Sequence, residues 1–250
     1  GGALKIIETG IIDDVDAIFG MHCTPLLEVG KMGFIDGPAM AAVDAFQIVF
    51  EGKGVHAAHP NKGVDSIVAA SAFVGAVQTV VSRNMDPFAA NLVSVTHIEG
   101  GHNWNVIPKS TLVEGTTRTM TKQERIVIKN RVEDIAQSIA QTYGAHAAIT
   151  WKPGPPALAN DASWGVLAKQ VAQEHRFETA PMEPSLGGED FAFYFEKVKG
   201  YFVQVGTGLS YPNHNPKFKV DPAALYPAAS YMADLAVQAV QKLQNDKEQA

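Results

Sequence analysis

The chain has 250 residues, a formal net charge of -6 and one cysteine, and no run of like charges stands out along it. That length exceeds a usual single domain, so two domains are expected, and the acidic balance argues against nucleic acid as a partner. A lone Cys23 rules out an internal disulfide, no apolar run approaches the roughly 20 residues that span a bilayer, and GGALKIIETG lacks the features of a signal peptide, so a cytoplasmic protein without a membrane segment is expected.

From the N-terminus, ALKIIETGII reads as a short helix ending at Gly10, and VDAIFGMH as a buried strand finishing at His22. TPLLEVGKMGFIDGPAMAA is rich in glycine and proline and reads as a crossing between domains, with a boundary near Ala42. DAFQIVFE then alternates Phe46, Ile48 and Phe50 against polar or outward positions, the period of a half-buried strand. Between Val64 and Val81, the residues Ile67, Ala70, Val74, Val77 and Val81 keep one helix face apolar. LVSVTHI and TLVEGTTRT alternate again as two strands. Thr121 to Glu124 form a capping box that opens a helix with Ile128, Val132, Ile135 and Ile139 on one face, and Gly144 suits its C′ position. AHAAITW closes this stretch as a strand, giving β-α-β-β-α-β: two helices over one face of a four-stranded, ferredoxin-like sheet.

KPGPPALANDA reads as the return linker, with a second boundary near Lys152. Trp164, Leu167, Ala168 and Val171 form a helical stripe, EDFAFYFEKV a short helix and YFVQVG a buried strand. Asp221-Pro222 caps a long helix whose Leu225, Ala229, Met232, Leu235 and Leu243 share a face. The expected organisation is therefore a split α/β domain from residues 1–42 and 153–250, with an α+β domain inserted at 43–152. The flanks supply two or three strands against the roughly five or six of a typical sheet, so further strands are expected upstream.

Several residues are candidates for chemistry. His22 ends a strand, where ligand-binding groups collect in open α/β sheets, and His214 sits in YPNHNPKF between prolines that hold an imidazole in one orientation. Either could ligate zinc, and either could be a structural histidine; two histidines alone do not make a metal site. Cys23 reads as buried filler. In SLGGEDF, Gly187 and Gly188 would let backbone approach a substrate while Glu189 orients a neighbour, or the acidic pair simply favours a helix dipole. His56 follows two glycines just past the first strand of the inserted domain, and Asn105 and Arg118 flank its middle strands; Arg118 is the natural carboxylate binder. The remaining histidines show no partner spacing.

FGMHCTP, GKGVHAAHP, GGHNWNVIP, EGTTRTM, SLGGEDFAFY and YPNHNPKF, in this order and at these separations, closely resemble the M20 metallopeptidase family, in particular its amidohydrolases acting on hippurate, N-acyl amino acids or auxin conjugates. The resemblance covers essentially the whole chain. It implies a two-metal hydrolase (zinc, manganese, cobalt or nickel) with a catalytic α/β domain and an inserted lid or dimerisation domain, cleaving the amide of an N-acyl amino acid by a metal-activated water. On this resemblance His22 and His214 are metal ligands, and His56 polarises the scissile carbonyl in a partner subunit's site. Asn105 and Arg118 hold the substrate, and Gly187, Gly188 and Glu189 border its pocket. GGALKIIETG resembles the stretch just after the family's Glu-Glu pair, so the chain is expected to lack the family's N-terminal metal-ligand segment and general base, and to be catalytically incomplete alone.

Two alternatives stand beside this reading: a metallo-aminopeptidase or dipeptidase of the same family, and a non-catalytic dimerisation and binding fragment. An RNA-binding domain shares the β-α-β-β-α-β order, but LVSVTHI and TLVEGTTRT lack the stacking aromatics it uses. Small N-acyl amino acids or peptides and a second copy of the chain are the expected partners.

Overall fold

The computed structural model describes residues 1–248. In chain order its elements are α1 (Gly2–Glu8), β1 (Ile18–Thr24), β2 (Lys31–Gly33), β3 (Gly37–Met40), β4 (Ala42–Glu51), β5 (Val55–His56), α2 (Ser66–Ala76), α3 (Thr79–Asn84), β6 (Leu92–Gly100), β7 (Val106–Ile107), β8 (Ser110–Thr119), α4 (Lys122–Thr142), β9 (His146–Pro153), β10 (Leu158–Asn160), α5 (Ala162–Glu174), β11 (Glu178–Ala180), β12 (Gly200–Gly206) and α6 (Leu225–Glu248). They gather into two compact units, one of residues 41–157 with 186–189, the other of residues 1–40, 158–185 and 190 onward. No described helix is long and apolar enough to cross a membrane.

In the first unit an antiparallel sheet runs β6-β8-β4-β9, which separates β4 from β6 by β8, a split βαβ arrangement. Alternation in β4 sends Phe46, Ile48 and Phe50 under the helices, where they are at most 1% exposed and pack with Phe73, Val77, Ile128 and Val132. Each such burial is worth roughly 1.5–3 kcal/mol relative to exposure. The opposite face is partly exposed and carries Gln47, Glu114, Thr116 and Arg118. Asp44, 7% exposed, receives Arg125 Nε at 2.7 Å and Nη2 at 2.6 Å, a paired bond that ties α4 to β4. Asp65 caps α2 by accepting the amides of Ile67 and Val68, and Thr121 caps α4 by accepting that of Glu124 at 3.2 Å. At the far end of α4, Gly144 adopts φ +70; its amide reaches Gln141 O at 3.2 Å while that of Ala145 reaches Ala140 O at 2.8 Å, a full Schellman closure.

The single helix expected from Val64 to Val81 is two helices, α2 and α3. The hydroxyl of Thr79 bonds back to Ala76 O at 2.7 Å and the amide of Val80 bonds to Val77 O, a tighter 3-10 step that breaks the α ladder. The buried face is also rotated: Phe73 is fully buried while Ile67 is 39% exposed.

In the second unit the sheet order is β1-β12-β2-β11, with β1 parallel to β12 and β12 antiparallel to β2. β12 is covered on both faces: Tyr201, Val203 and Val205 pack with Trp164, Val171, Tyr231 and Leu235, and Phe202 packs with Ala39, Leu158 and Ala192. Four strands here, and a separate β3–β10 ladder, exceed the two or three expected of the flanks. The supposed crossing carries β2 and β3, and the supposed return linker carries β10; Asn160 holds that linker by donating to Ile35 O and Phe202 O and accepting from Phe202 N. β1 is half-buried rather than buried because it is a sheet edge with one strand neighbour, and it runs on to Thr24. In α6, Leu225 is 55% exposed and Ala229 lies outside the core. The buried stripe is Ala228, Tyr231, Leu235 and Ala239, because the Tyr231 ring turns inward and its hydroxyl donates to Ala168 O at 3.2 Å.

Candidate active-site residues

His22 lies two residues before the end of β1. Its Nδ1 meets the carbonyl oxygen of Cys23 at 2.7 Å. A carbonyl only accepts, so Nδ1 carries the proton and Nε2 is left with its lone pair, the tautomer a metal ligand needs. The Cys23 oxygen also receives Asn213 Nδ2 at 3.4 Å, which brings the loop bearing His214 to the end of β1. Cys23 itself is a free thiol packed against the core of this unit.

His214 sits in a turn closed by Asn215 N on Pro212 O at 3.1 Å, and its φ is +68. An L-residue with a side chain holds that conformation at a cost of order 1–3 kcal/mol. Glycine would fill the position without strain; Arg176, at φ +61, is the other non-glycine residue in this region among the described residues. The buried Oδ1 of Asn213 has no hydrogen-bond partner. Asn213 carries no signal of its own in the sequence beyond its place beside a histidine in a proline-bracketed loop.

In the other unit, His56 pairs with Val106 across β5 and β7, and the amide of Ala57 donates to the carbonyl of Asn105 at 2.9 Å. The structure thus brings His56 and Asn105 together. His56 Nδ1 accepts the amide of Ala58 at 3.1 Å, so in the neutral ring the proton is on Nε2 and faces away as a donor. Asn105 carries a buried Oδ1 without a partner. Both are unspent polar capacity at one end of the sheet.

Arg118 is at the other end. It lies opposite Val43 at the start of β4, whereas the β5–β7 pair follows the Glu51↔Ser110 end. Nearly the length of β8 separates them, about 26 Å at roughly 3.3 Å per residue. Arg118 Nη1 is turned onto its own strand, donating to Thr116 Oγ1 and to Thr117 O at 2.8 Å. Asn91, just before Arg118's β6 neighbour Leu92, is a third residue whose buried Oδ1 lacks a partner.

The amide of Ala41 donates to Gly187 O at 3.1 Å. At Gly188 a Cβ would come within 2.3 Å of Val43 Cγ2, so packing against β4 explains this glycine without a ligand. Glu189 is half-buried in the same segment. Of the histidines without an assigned partner, His97 pairs with Glu114 Oε2 at 2.9 Å and His175 with Asp234 Oδ2 at 2.7 Å. These contacts cross elements, so spacing within one element could not show them.

The donor chemistry of His22 and His214 fits part of a metal centre, but among the described residues no group of three or more His, Cys, Asp or Glu side chains stands ready to hold an ion.

The sequence matches the model of peptidase family M20/M25/M40 over residues 1–238. It is 43% identical to the N-acetylcysteine deacetylase of Bacillus subtilis strain 168 over 94% of this chain and 62% of that protein. It is 34% identical to the IAA-amino acid hydrolase ILR1-like 4 of Arabidopsis thaliana over 94% of this chain and 56% of that one. The fold superposes with a TM-score of 0.82, at 38% identity, on the Bacillus subtilis YXEP protein, described as a dinuclear metal binding peptidase from the M20 family; the match covers 96% of this chain and 61% of that structure. The chain thus spans roughly three-fifths of the length of these relatives.

Proposed function

Because this chain belongs to peptidase family M20/M25/M40, we propose that it is part of a metal-dependent amidohydrolase that cleaves the amide bond of N-acyl amino acids, hippurate-like conjugates among them. The relatives named as a deacetylase and an IAA-amino acid hydrolase support that bond type. The observation that carries the reading is the shared carbonyl of Cys23, which fixes His22 with Nε2 free and draws in the loop of His214. These two imidazoles would hold a divalent ion: zinc, manganese, cobalt or nickel. When bound, such an ion supplies Lewis acidity toward the amide carbonyl and lowers the pKa of water.

The chain's own residues do the rest. His56 offers its Nε2–H to the carbonyl oxygen, where negative charge builds in the transition state, and Asn105 beside it adds a polar contact. Arg118 binds the substrate carboxylate through its planar fork once it leaves its own strand. Gly187 and Glu189 border the acyl group, while Gly188 is held against Val43. Since His56 and Arg118 stand at opposite ends of one sheet, the inserted unit acts as a lid and dimerisation domain, and His56 of one copy serves substrate held by the other. A protein working inside the cytoplasm fits this chemistry.

The missing third ligand among the described residues supports a second reading of the 250-residue polypeptide alone, as a dimerisation and binding piece. One experiment tests both: hydrolysis of N-acetyl and N-benzoyl amino acids by the chain, with zinc, manganese or cobalt, in His22→Ala and His56→Ala variants. Metal-dependent hydrolysis lost in both variants supports the enzyme. Dimers without turnover under every metal support the binding piece.

A further inference from the structure

The segment that carries His214 also builds a cavity of its own. Leu209, Ser210, Tyr211, Pro216, Lys217 and Lys219 line about 640 Å³ of space, within the range of small-molecule sites. Leu209 is 69% exposed and Tyr211 51%, so large apolar surface faces this opening. Lys217 Nζ stands 5.5 Å from the centre of the Tyr211 ring. Neither Lys217 nor Lys219 forms an ion pair among the described residues, although the chain as a whole is acidic. The backbone around them is pinned: the amide of Lys217 donates to Asn215 Oδ1 at 2.9 Å and that of Lys219 to Ser210 Oγ at 3.0 Å. Two ammonium groups without an ion-pair partner among the described residues, an aromatic face and a leucine together suit an anion on an apolar stem.

We infer that this cavity binds a carboxylate carried on a short apolar stem, so that the substrate is an N-acylated amino acid with a second, side-chain carboxylate. This rests on the amidohydrolase reading only in calling the ligand a substrate. The methylenes of an acidic side chain would lie on Leu209 and Tyr211 while the charge meets Lys217 and Lys219.

Binding to the full chain is measured by saturation-transfer-difference NMR under a chelator, so that neither metal nor turnover enters. The probes are N-benzoyl-L-glutamate and N-benzoyl-L-glutamine, alike in shape and different by one charge. The glutamate probe is expected to bind about three- to tenfold more tightly, the scale of two exposed ion pairs. That preference disappears in Lys217→Gln/Lys219→Gln, survives in Lys217→Arg/Lys219→Arg, and shrinks in 0.5 M salt. Equal binding of the two probes, or an equal loss of both in the glutamine variant, overturns the inference. So does inorganic phosphate displacing the glutamate probe at equal concentration, since the apolar wall would then contribute nothing. Selective binding under the chelator, with neither probe hydrolysed in a separate assay supplied with zinc, manganese or cobalt, upholds the cavity and favours the binding-piece reading of the 250-residue chain instead.

Discussion

The imidazole of His22 donates Nδ1–H to the carbonyl oxygen of Cys23 at 2.7 Å, whereas the Nδ1 of His56 accepts the amide of Ala58 at 3.1 Å. The backbone therefore sets opposite tautomers in the two rings. One presents a lone pair on Nε2 and the other presents a proton there, which suits the ligation proposed for His22 and the hydrogen-bond donation proposed for His56.

Long-range ¹H–¹⁵N correlation spectra above the histidine pKa test this directly. His22 is expected to show a protonated Nδ1 and a bare Nε2, and His56 the reverse. Equal populations of both tautomers at either residue would remove the structural basis for its role.

Asp36 joins the turn between β2 and β3 to α5 and β12. Lys169 Nζ lies 2.6 Å from one carboxylate oxygen and the Tyr201 hydroxyl 2.7 Å from the other. The bond from Lys169, and then that from Tyr201, hold the Asp36 carboxyl below its ordinary value. Burial, with the Asp36 carboxylate beside it, pushes the Tyr201 phenol up, so it remains a donor. A depressed carboxyl pKa stabilises the fold fully above the unfolded value of about 3.9 and loses that contribution as pH falls through the lower folded value. The Asp36 side chain is 43% exposed, so solvent screening keeps the effect below about 1 kcal/mol. In urea melts, Asp36→Asn is expected to flatten the stability slope between about pH 4 and 2. Asp36→Ala should cost about 1–3 kcal/mol at pH 7 by stranding the buried Tyr201 hydroxyl. An unchanged acid slope in the asparagine variant would contradict this.

Strand β6 is a sheet edge whose last residues, from Thr96 to Gly100, are exposed. Ile98 is 49% exposed there and borders a cavity of about 430 Å³ with Val74 and Val95. An unpaired edge beside apolar surface invites a second copy, and such pairing would answer the separation of His56 from Arg118. Ile98→Asp is expected to raise the dimer dissociation constant more than tenfold in sedimentation equilibrium, about 1.4 kcal/mol or more, with thermal stability nearly unchanged. A parent chain that is monomeric at micromolar concentration would end the dimer proposal.

Period and capping made much of the inserted sheet and α4 legible, because Phe46, Ile48 and Phe50 obey one local rule and Thr121 and Gly144 obey another. Phe73 lies off the aliphatic stripe of its helix; its ring is buried at 5.6 Å from Phe50 and 6.4 Å from Phe46, contacts that belong to the packed state. β2, β3 and β10 escaped because glycine and proline in short strands read as turns until neighbouring strands supply the ladder. Among the candidate residues, the position of His22 near a strand end was legible, although the strand runs two residues further, to Thr24. The strain at His214, the carbonyl shared by His22 and Asn213, and the distance between His56 and Arg118 all depend on loops meeting across long stretches of sequence.

Among the described residues two imidazoles, those of His22 and His214, are the proposed ligands, and no group of three or more His, Cys, Asp or Glu donors gathers. A zinc site is normally built from three or four protein ligands in fixed geometry, and two leave the ion largely hydrated. The pair is still better placed than two free histidines, because the Cys23 carbonyl fixes the His22 ring and the turn fixes His214. Isothermal titration of the chain with zinc is therefore expected to show weak binding, in the micromolar range or weaker by order of magnitude, against binding free energies of about 10–16 kcal/mol for complete structural zinc sites. His22→Ala and His214→Ala should each abolish even that weak heat, while His146→Ala, altering an exposed histidine at the start of β9, should leave it unchanged. Tight stoichiometric binding that survives loss of His22 would place the ligands elsewhere.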